Sequence, residues 1–245
     1  MQDITKVTPY DSTEESKKGQ VTRMFDRIAP YYDLLNRVLS AGIDVWWRKK
    51  AIDMLKNAAP KTILDVATGT SDLAIEAARK LKPDHITGMD ISIKMLDIGR
   101  NKVEKAGLEN VISLETGDSE AMRYDDNSFD AVMAAFGVRN FENLEKGLKE
   151  MYRVTRPGGM VMILEFSKPV VFPIKQLFHI YFKFVLPVIG RLKSKDRKAY
   201  RYLYESVQAF PDYRNFADIL ERCGYKNATY KALTGGICTI YTAIK

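Results

Sequence analysis

Asp90 follows Gly69 by about twenty residues, and Asp118 stands one further strand along; each marks the point where an apolar run gives way to a turn. A carboxylate in the first place can accept hydrogen bonds from both hydroxyls of a ribose. One in the second is placed to take the exocyclic amine of an adenine. Between the apolar run Thr62–Val66 and the helical pattern of Leu73, Ala74, Ala77, Ala78 and Leu81 lies the small-residue turn Ala67-Thr68-Gly69-Thr70-Ser71. Small side chains there let a ligand approach backbone N–H groups, with Gly69 giving it room. The turn lacks the third glycine of G-x-G-x-x-G, and Asp72 would repel a diphosphate. The ammonium and sulfonium of S-adenosylmethionine instead welcome carboxylates such as Asp65 and Asp72. The expected cofactor is therefore S-adenosylmethionine rather than NAD. No metal-ligand set accompanies these acids: His85 and His179 are far apart, and Cys223 and Cys238 form no C-x-x-C pair.

The elements that must hold these side chains follow from periodicity. Strands are predicted at Thr62–Val66, His85–Asp90, Val111–Glu115, Phe129–Phe136 and Met160–Phe166. The helix after the second is capped by Ser92, buries Met95, Leu96, Gly99, Val103 and Ala106, and stops at Gly107. The helix of Leu144, Leu148, Met151 and Tyr152 ends before the turn Arg156-Pro157-Gly158-Gly159. A later helix carries Phe216, Ile219, Leu220 and Cys223, and the Gly235-Gly236 turn joins two closing strands as a hairpin. The fold class expected is α/β: an open, mostly parallel sheet of about seven strands, helices on both faces, and a C-terminal antiparallel hairpin.

Outside that frame, residues 1–20 read as a flexible tail, and 21–245 as a single domain with N-terminal helices over 21–57 and a helical insertion over 170–212 covering the substrate. Pro30 disfavours helix at Ala29, so two short helices are expected before a third that begins with Asp44 as N-cap and stacks Trp47, Ala51 and Leu55. Their aromatic residues are expected to cover one end of the sheet and line a pocket for a ring-shaped substrate. The insertion places Phe172, Leu177 and Phe178 near the basic residues Arg191, Lys193, Lys195, Arg197, Lys198 and Arg201, a composition suited to a lipid interface. With 38 Lys and Arg against 31 Asp and Glu, the chain carries a net charge of +7, which suits an anionic partner. No signal-peptide pattern and no run of about 18 uncharged apolar residues is present, so a cytoplasmic protein is expected, with peripheral contact to an anionic membrane face. A nucleic-acid methyltransferase would fit the charge, but no Asn/Asp-Pro-Pro-Tyr-like tetrapeptide follows the fourth strand and no RNA-binding motif is appended. A cofactor-binding regulatory module is the non-enzymatic alternative.

Several longer stretches carry a resemblance. Tyr32-Asp33-Leu34-Leu35-Asn36-Arg37-Val38-Leu39-Ser40 with Trp47, Phe136-Gly137-Val138-Arg139-Asn140, Arg153-Val154-Thr155-Arg156-Pro157-Gly158-Gly159 with Glu165-Phe166-Ser167, and Glu205-Ser206 before Phe210-Pro211 resemble the signatures of the ubiquinone/menaquinone biosynthesis C-methyltransferases, within the class I S-adenosylmethionine-dependent methyltransferases. The chain departs at Asp44, where the family usually has His, and at Ala135, where it often has Ser. The resemblance implies that Thr70, Asp90, Asp118 and Ser119 contact the cofactor, and that Tyr32, Asp33 and Asn36 bind the substrate. It also implies methyl transfer to a ring carbon of a reduced polyprenyl demethylquinone, a naphthoquinol or alternatively a benzoquinol. A quinol hydroxyl has a phenol-like pKa of about 10. A cation such as Arg139 would stabilise its phenolate while Asn140 orients the oxygen.

Overall fold

In the computed structural model, which describes residues 4–10, 14–181 and 197–245, seven strands form one sheet in the order β3-β2-β1-β4-β5-β7-β6. The strands are β1 (Thr62–Val66), β2 (His85–Asp90), β3 (Ile112–Thr116), β4 (Phe129–Ala135), β5 (Thr155–Phe166), β6 (Lys226–Leu233) and β7 (Cys238–Ile244). Between them run α3 (Asp72–Leu81), α4 (Ile93–Lys105) and α5 (Leu144–Val154), preceded by α1 (Lys17–Leu39) and α2 (Ile43–Asp53), and followed by α6 (Ile174–Ile180), α7 (Arg197–Ala209) and α8 (Arg214–Arg222). β1 to β5 are parallel, whereas β7 runs antiparallel to both β5 and β6, as the closing hairpin required.

The central strands read as unbroken apolar runs because both faces are covered. Successive residues point to opposite cores. Leu64, Val132 and Ile163 pack with Leu148 of α5 and Phe216 and Leu220 of α8. Ile63, Met133 and Leu164 pack on the other face with Trp47, Ala51 and Ile52 of α2 and Ala74 and Ala77 of α3. The chain leaves β1 toward β2 on one side and returns to β4 on the other. That reversal opens a crevice beyond the carboxyl ends of the strands, where open α/β sheets bind ligands.

Four expectations change. Pro30 does not divide the N-terminal region: α1 is one helix of 23 residues with the proline inside it. Its stripe of Val21, Met24, Phe25 and Ile28 packs on the core, and this burial outweighs the local penalty. Within the stretch expected to be a loose tail, Ile4, Val7 and Tyr10 are buried, and Lys17 Nζ donates to the Ile4 carbonyl at 2.8 Å. α2 starts after Gly42, which takes a left-handed conformation (φ 79°), so Asp44 lies in the first turn rather than at the cap. The Arg156–Gly159 turn is absorbed as an irregularity of β5, which pairs Phe129 with Thr155 and then Ala131 with Met160. Residues 182–196, with the expected basic positions Arg191, Lys193 and Lys195, lie outside the described residues.

Candidate active site

Two cavities meet beyond the strand ends. The smaller, about 80 Å³, has Gly69, Asp90, Gly117, Asp118 and Ser119 in its wall. The larger, about 610 Å³, is walled by Ile28, Trp47, Phe166, Leu177 and Tyr202, with the polar groups of Asn36, Arg139 and Asn140 among them. Phe25, Tyr32, Phe136 and Asn140 belong to both walls. The two cavities are therefore adjacent, with these four residues between them.

The smaller cavity is built by the turns after β1, β2 and β3. Gly69 takes φ 56°, a Cβ there would meet nothing within 4 Å, and its N–H donates to Asp90 Oδ2 at 2.8 Å. The Ser92 N–H donates to Asp90 Oδ1, also at 2.8 Å. Burial pushes the Asp90 carboxyl above its usual range, opposed by the N–H groups of Ser92, Gly69 and Ile91. Gly137, after β4, closes the opposite wall: a Cβ would stand 2.6 Å from that of Ala67. Asp118 accepts from Lys18 Nζ at 2.7 Å and from the Glu120 N–H at 2.9 Å. Burial raises its pKa, but the Lys18 and Glu120 hydrogen bonds win and hold it below the usual carboxylate range.

Not every expected ligand-binding residue faces a cavity. Thr70 Oγ1 donates to Asp33 Oδ1 at 2.6 Å, and Lys102 Nζ lies 2.8 Å from Asp33 Oδ2; neither Thr70 nor Asp33 is in either wall. Together with Lys18–Asp118 and Ser92 Oγ–Asp26 Oδ1 (2.6 Å), this contact ties α1 across the ends of β3, β2 and β1 in turn. The contacting positions 18, 26 and 33 recur about every two helical turns. Asp72 is held by Arg48 at 3.1 Å and by Lys102, so it is not the free carboxylate expected to greet an ammonium. Asp65 lies fully buried beneath the turn, accepting from Thr68 Oγ1 at 2.6 Å, and burial, with the Asp90 charge adding, raises its pKa to about 7.

That last feature carries a stability signature. A carboxyl whose pKa is raised binds its proton more tightly folded than unfolded, so folding stability falls as pH climbs from about 4 toward 7. Asp65→Asn cannot titrate. Its stability relative to the parent should rise by up to about 2–3 kcal/mol between pH 5 and pH 8, which urea unfolding at the two pH values would read. An offset that does not change with pH would mean that Asp65 is ionised throughout.

The larger cavity joins an aromatic wall to two buried charge pairs, Asp44 with Arg48 (2.5 Å) and Arg139 with Glu165. The rings of Phe136 and Phe166 lie 4.6 Å apart, and Trp47 approaches both at about 6 Å. Trp47 is fixed by its indole N–H, which donates to Thr234 Oγ1 at 2.8 Å. Arg139, on the short turn Val138–Asn140, is 6% exposed and pairs through Nη1 with Glu165 Oε1 at 2.7 Å. Glu165 is wholly buried, which raises its pKa against the pull of Arg139 and of the Phe166 and Arg139 N–H groups. Asn140 Nδ2 donates to the Phe136 carbonyl at 3.3 Å. Among the described residues, Asn140 Oδ1, Arg139 Nε and the Tyr202 hydroxyl are buried without a hydrogen-bond partner. Burial lifts the Tyr32 phenol above its usual range, opposed by Asn36 and Arg139. Sequence reasoning missed Lys18, Arg48, Glu165 as the partner of Arg139, and Tyr202. Only Glu165 had a signal, its place in the Glu-Phe-Ser stretch.

Comparison with known proteins agrees with this geometry. Residues 12–245 match the ubiE/COQ5 methyltransferase family. The chain is 50% identical over 240 residues to a demethylmenaquinone methyltransferase of Bacteroides fragilis, covering 98% of each. It is 47% identical to a ubiquinone/menaquinone biosynthesis C-methyltransferase UbiE of Geotalea daltonii, across 96% of this chain and 100% of that one. In fold it is similar to a SAM-dependent methyltransferase of Thermotoga maritima, with TM-score 0.63 at 15% identity over 91% of this chain and 98% of that one.

Proposed function

The chain belongs to the ubiE/COQ5 methyltransferase family, and on that footing we propose that it methylates a ring carbon of a reduced polyprenyl demethylquinone, converting demethylmenaquinol to menaquinol in menaquinone biosynthesis. One observation carries the reading: a small cavity with the carboxylates of Asp90, Asp118, Glu120 and Glu142 in its wall shares Phe25, Tyr32, Phe136 and Asn140 with a much larger, mainly apolar one. The first suits a nucleoside with an amino-acid tail, the second an aromatic ring with a long hydrocarbon chain.

Gly69 and Ser119 give the cofactor its backbone approach, Asp90 takes its ribose, and Asp118 takes its adenine once Lys18 yields. S-adenosylmethionine supplies an electrophilic methyl group, whose bond to sulfur breaks as the bond to the ring carbon forms. This chain does the rest by positioning and charge. Tyr32, Phe136 and Phe166 hold the quinol ring at the junction, and Asn36 and Asn140 offer polar contacts to its oxygens. The Arg139 guanidinium favours the phenolate, which pushes electron density onto the neighbouring carbon. The ring proton at that carbon then passes to solvent water, and its bonding pair restores the aromatic ring. The test is labelled S-adenosylmethionine offered with demethylmenaquinol and with a demethylated benzoquinol in detergent. Label in the naphthoquinol product is expected; transfer to the benzoquinol alone would reassign the substrate, and transfer to neither would refute the reaction.

A lipid surface is the second reading. Val170, Phe172, Leu177 and Ile180 are 72%, 77%, 61% and 50% exposed, and Leu177 and Ile180 also belong to the wall of the large cavity. Exposed apolar side chains at a cavity mouth fit an element lying in the acyl boundary, through which a bilayer-dissolved quinol reaches the site. No helix among the described residues is long and apolar enough to cross a membrane. Vesicles containing phosphatidylglycerol should carry the protein upward in a flotation gradient, less so at high salt. Val170→Ser with Phe172→Ser should reduce the bound fraction several-fold. Protein that stays at the bottom at low salt would end the membrane reading.

A further inference from the structure

We propose that the hydroxyl of Tyr202 is a direct substrate contact, a second hydrogen-bond donor that joins Arg139 in holding the oxygen of the quinol that becomes the phenolate. The inference deepens the quinol reading and rests on it.

Tyr202 lies on α7, 2% exposed, in the wall of the large cavity. Its hydroxyl has no partner among the described residues. Buried polar groups in folded proteins are nearly always bonded, so an orphan in a cavity wall marks a place where a ligand supplies the missing atom. Two more orphans share that wall, Arg139 Nε and Asn140 Oδ1. An N–H donor, an O–H group and an amide acceptor in the wall of a mainly apolar cavity have the chemistry to receive a hydroxylated ring. The prenyl chain needs none of them.

Tyr202 shares the wall of the large cavity with Arg139 and Asn140. Burial holds its phenol far above the usual range, with Arg139 pulling it down and Glu165 pushing it up. It consequently keeps its proton wherever the enzyme works and acts as a donor. Arg139 Nη1 is already committed to Glu165 and to the Phe136 carbonyl, while Nε has no partner among the described residues. Two donors on one oxygen stabilise the phenolate more than the neutral phenol, which is the condition for assisting the reaction rather than only binding.

Tyr202→Phe tests this, because it removes only an atom that has no partner among the described residues. The melting temperature should stay the same or rise slightly. Affinity for short-chain demethylmenaquinol, read anaerobically by tryptophan quenching with S-adenosylhomocysteine present and no turnover, should weaken about tenfold, the scale of one lost hydrogen bond. The rising limb of kcat against pH should move upward by about one unit, since the bound phenol loses a group that favours its ionised form. A drop of several degrees in melting temperature with quinol affinity intact would make Tyr202 a packing residue. Unchanged affinity and pH profile would show that the hydroxyl bonds water instead, and either result overturns the proposal. If the parent protein itself fails to bind the quinol, the quinol reading falls and takes this inference with it.

Discussion

Arg139→Ala should lower kcat by about 10²- to 10³-fold, the scale for removing one preorganised group from a developing negative charge, while S-adenosylmethionine affinity stays within about twofold. The argument rests on where the guanidinium sits. It is buried in the wall of the apolar cavity, 2.7 Å from Glu165 and 5.4 Å over the Phe166 ring, and it is outside the wall of the cofactor cavity. In such a place a charge acts at low dielectric and needs no reorganisation during the reaction. Alanine alone would confuse the result, because the uncompensated Glu165 carboxylate destabilises the fold by about 3–5 kcal/mol. Combining Arg139→Ala with Glu165→Gln removes the stranded charge and should recover most of the melting temperature. It should not recover kcat. Recovery of both by the double variant would make the pair a folding device and leave the phenolate without a protein cation.

Much of the sheet was legible because its signals are local. β1 and β2 match their sequence ranges, β3 is shifted by one residue at each end and β4 stops one residue earlier, since apolar runs bounded by acids and small-residue turns leave little choice of period. Ser92 does cap α4, its hydroxyl accepting from the Met95 N–H at 3.2 Å. Pro30 shows where such reading fails: its preference is a property of a dipeptide, whereas the helix is kept by a stripe packed against distant strands. The site divides in the same way. Asp90 and Asp118 were legible because strand ends fix them. The partners that engage Asp72 and Thr70, namely Arg48, Lys102 and Asp33, could not be foreseen because they lie far away in the chain, and nothing in a one-dimensional pattern says that a carboxylate is already neutralised. Tyr202 left no trace in periodicity, as a buried aromatic on an amphipathic helix reads as core until its orphaned hydroxyl is seen.

Asp90→Ala should weaken S-adenosylmethionine binding by roughly 2–3 kcal/mol, or about 30- to 150-fold in Kd. Both carboxylate oxygens are already engaged, one with the Gly69 N–H and one with the Ser92 N–H, and each oxygen retains a further lone pair for a ribose hydroxyl. The residue therefore shapes the cradle and contacts the ligand at once. Asp90→Asn separates the two contributions. It keeps the side-chain shape but turns one acceptor into a donor facing an N–H, so it should lose an intermediate amount, near tenfold. Acidification supplies an independent check, because burial raises the Asp90 pKa and protonation removes an acceptor. Affinity should thus decline on lowering the pH earlier than an ordinary carboxylate near pH 4 would allow, and Asp90→Ala should be flat over the same range. Calorimetry with S-adenosylmethionine, S-adenosylhomocysteine and NADH is the measurement. Unchanged affinity in the alanine variant, or tighter binding of NADH than of the methyl donor, would remove Asp90 from the cofactor site and reopen which nucleotide the crevice holds.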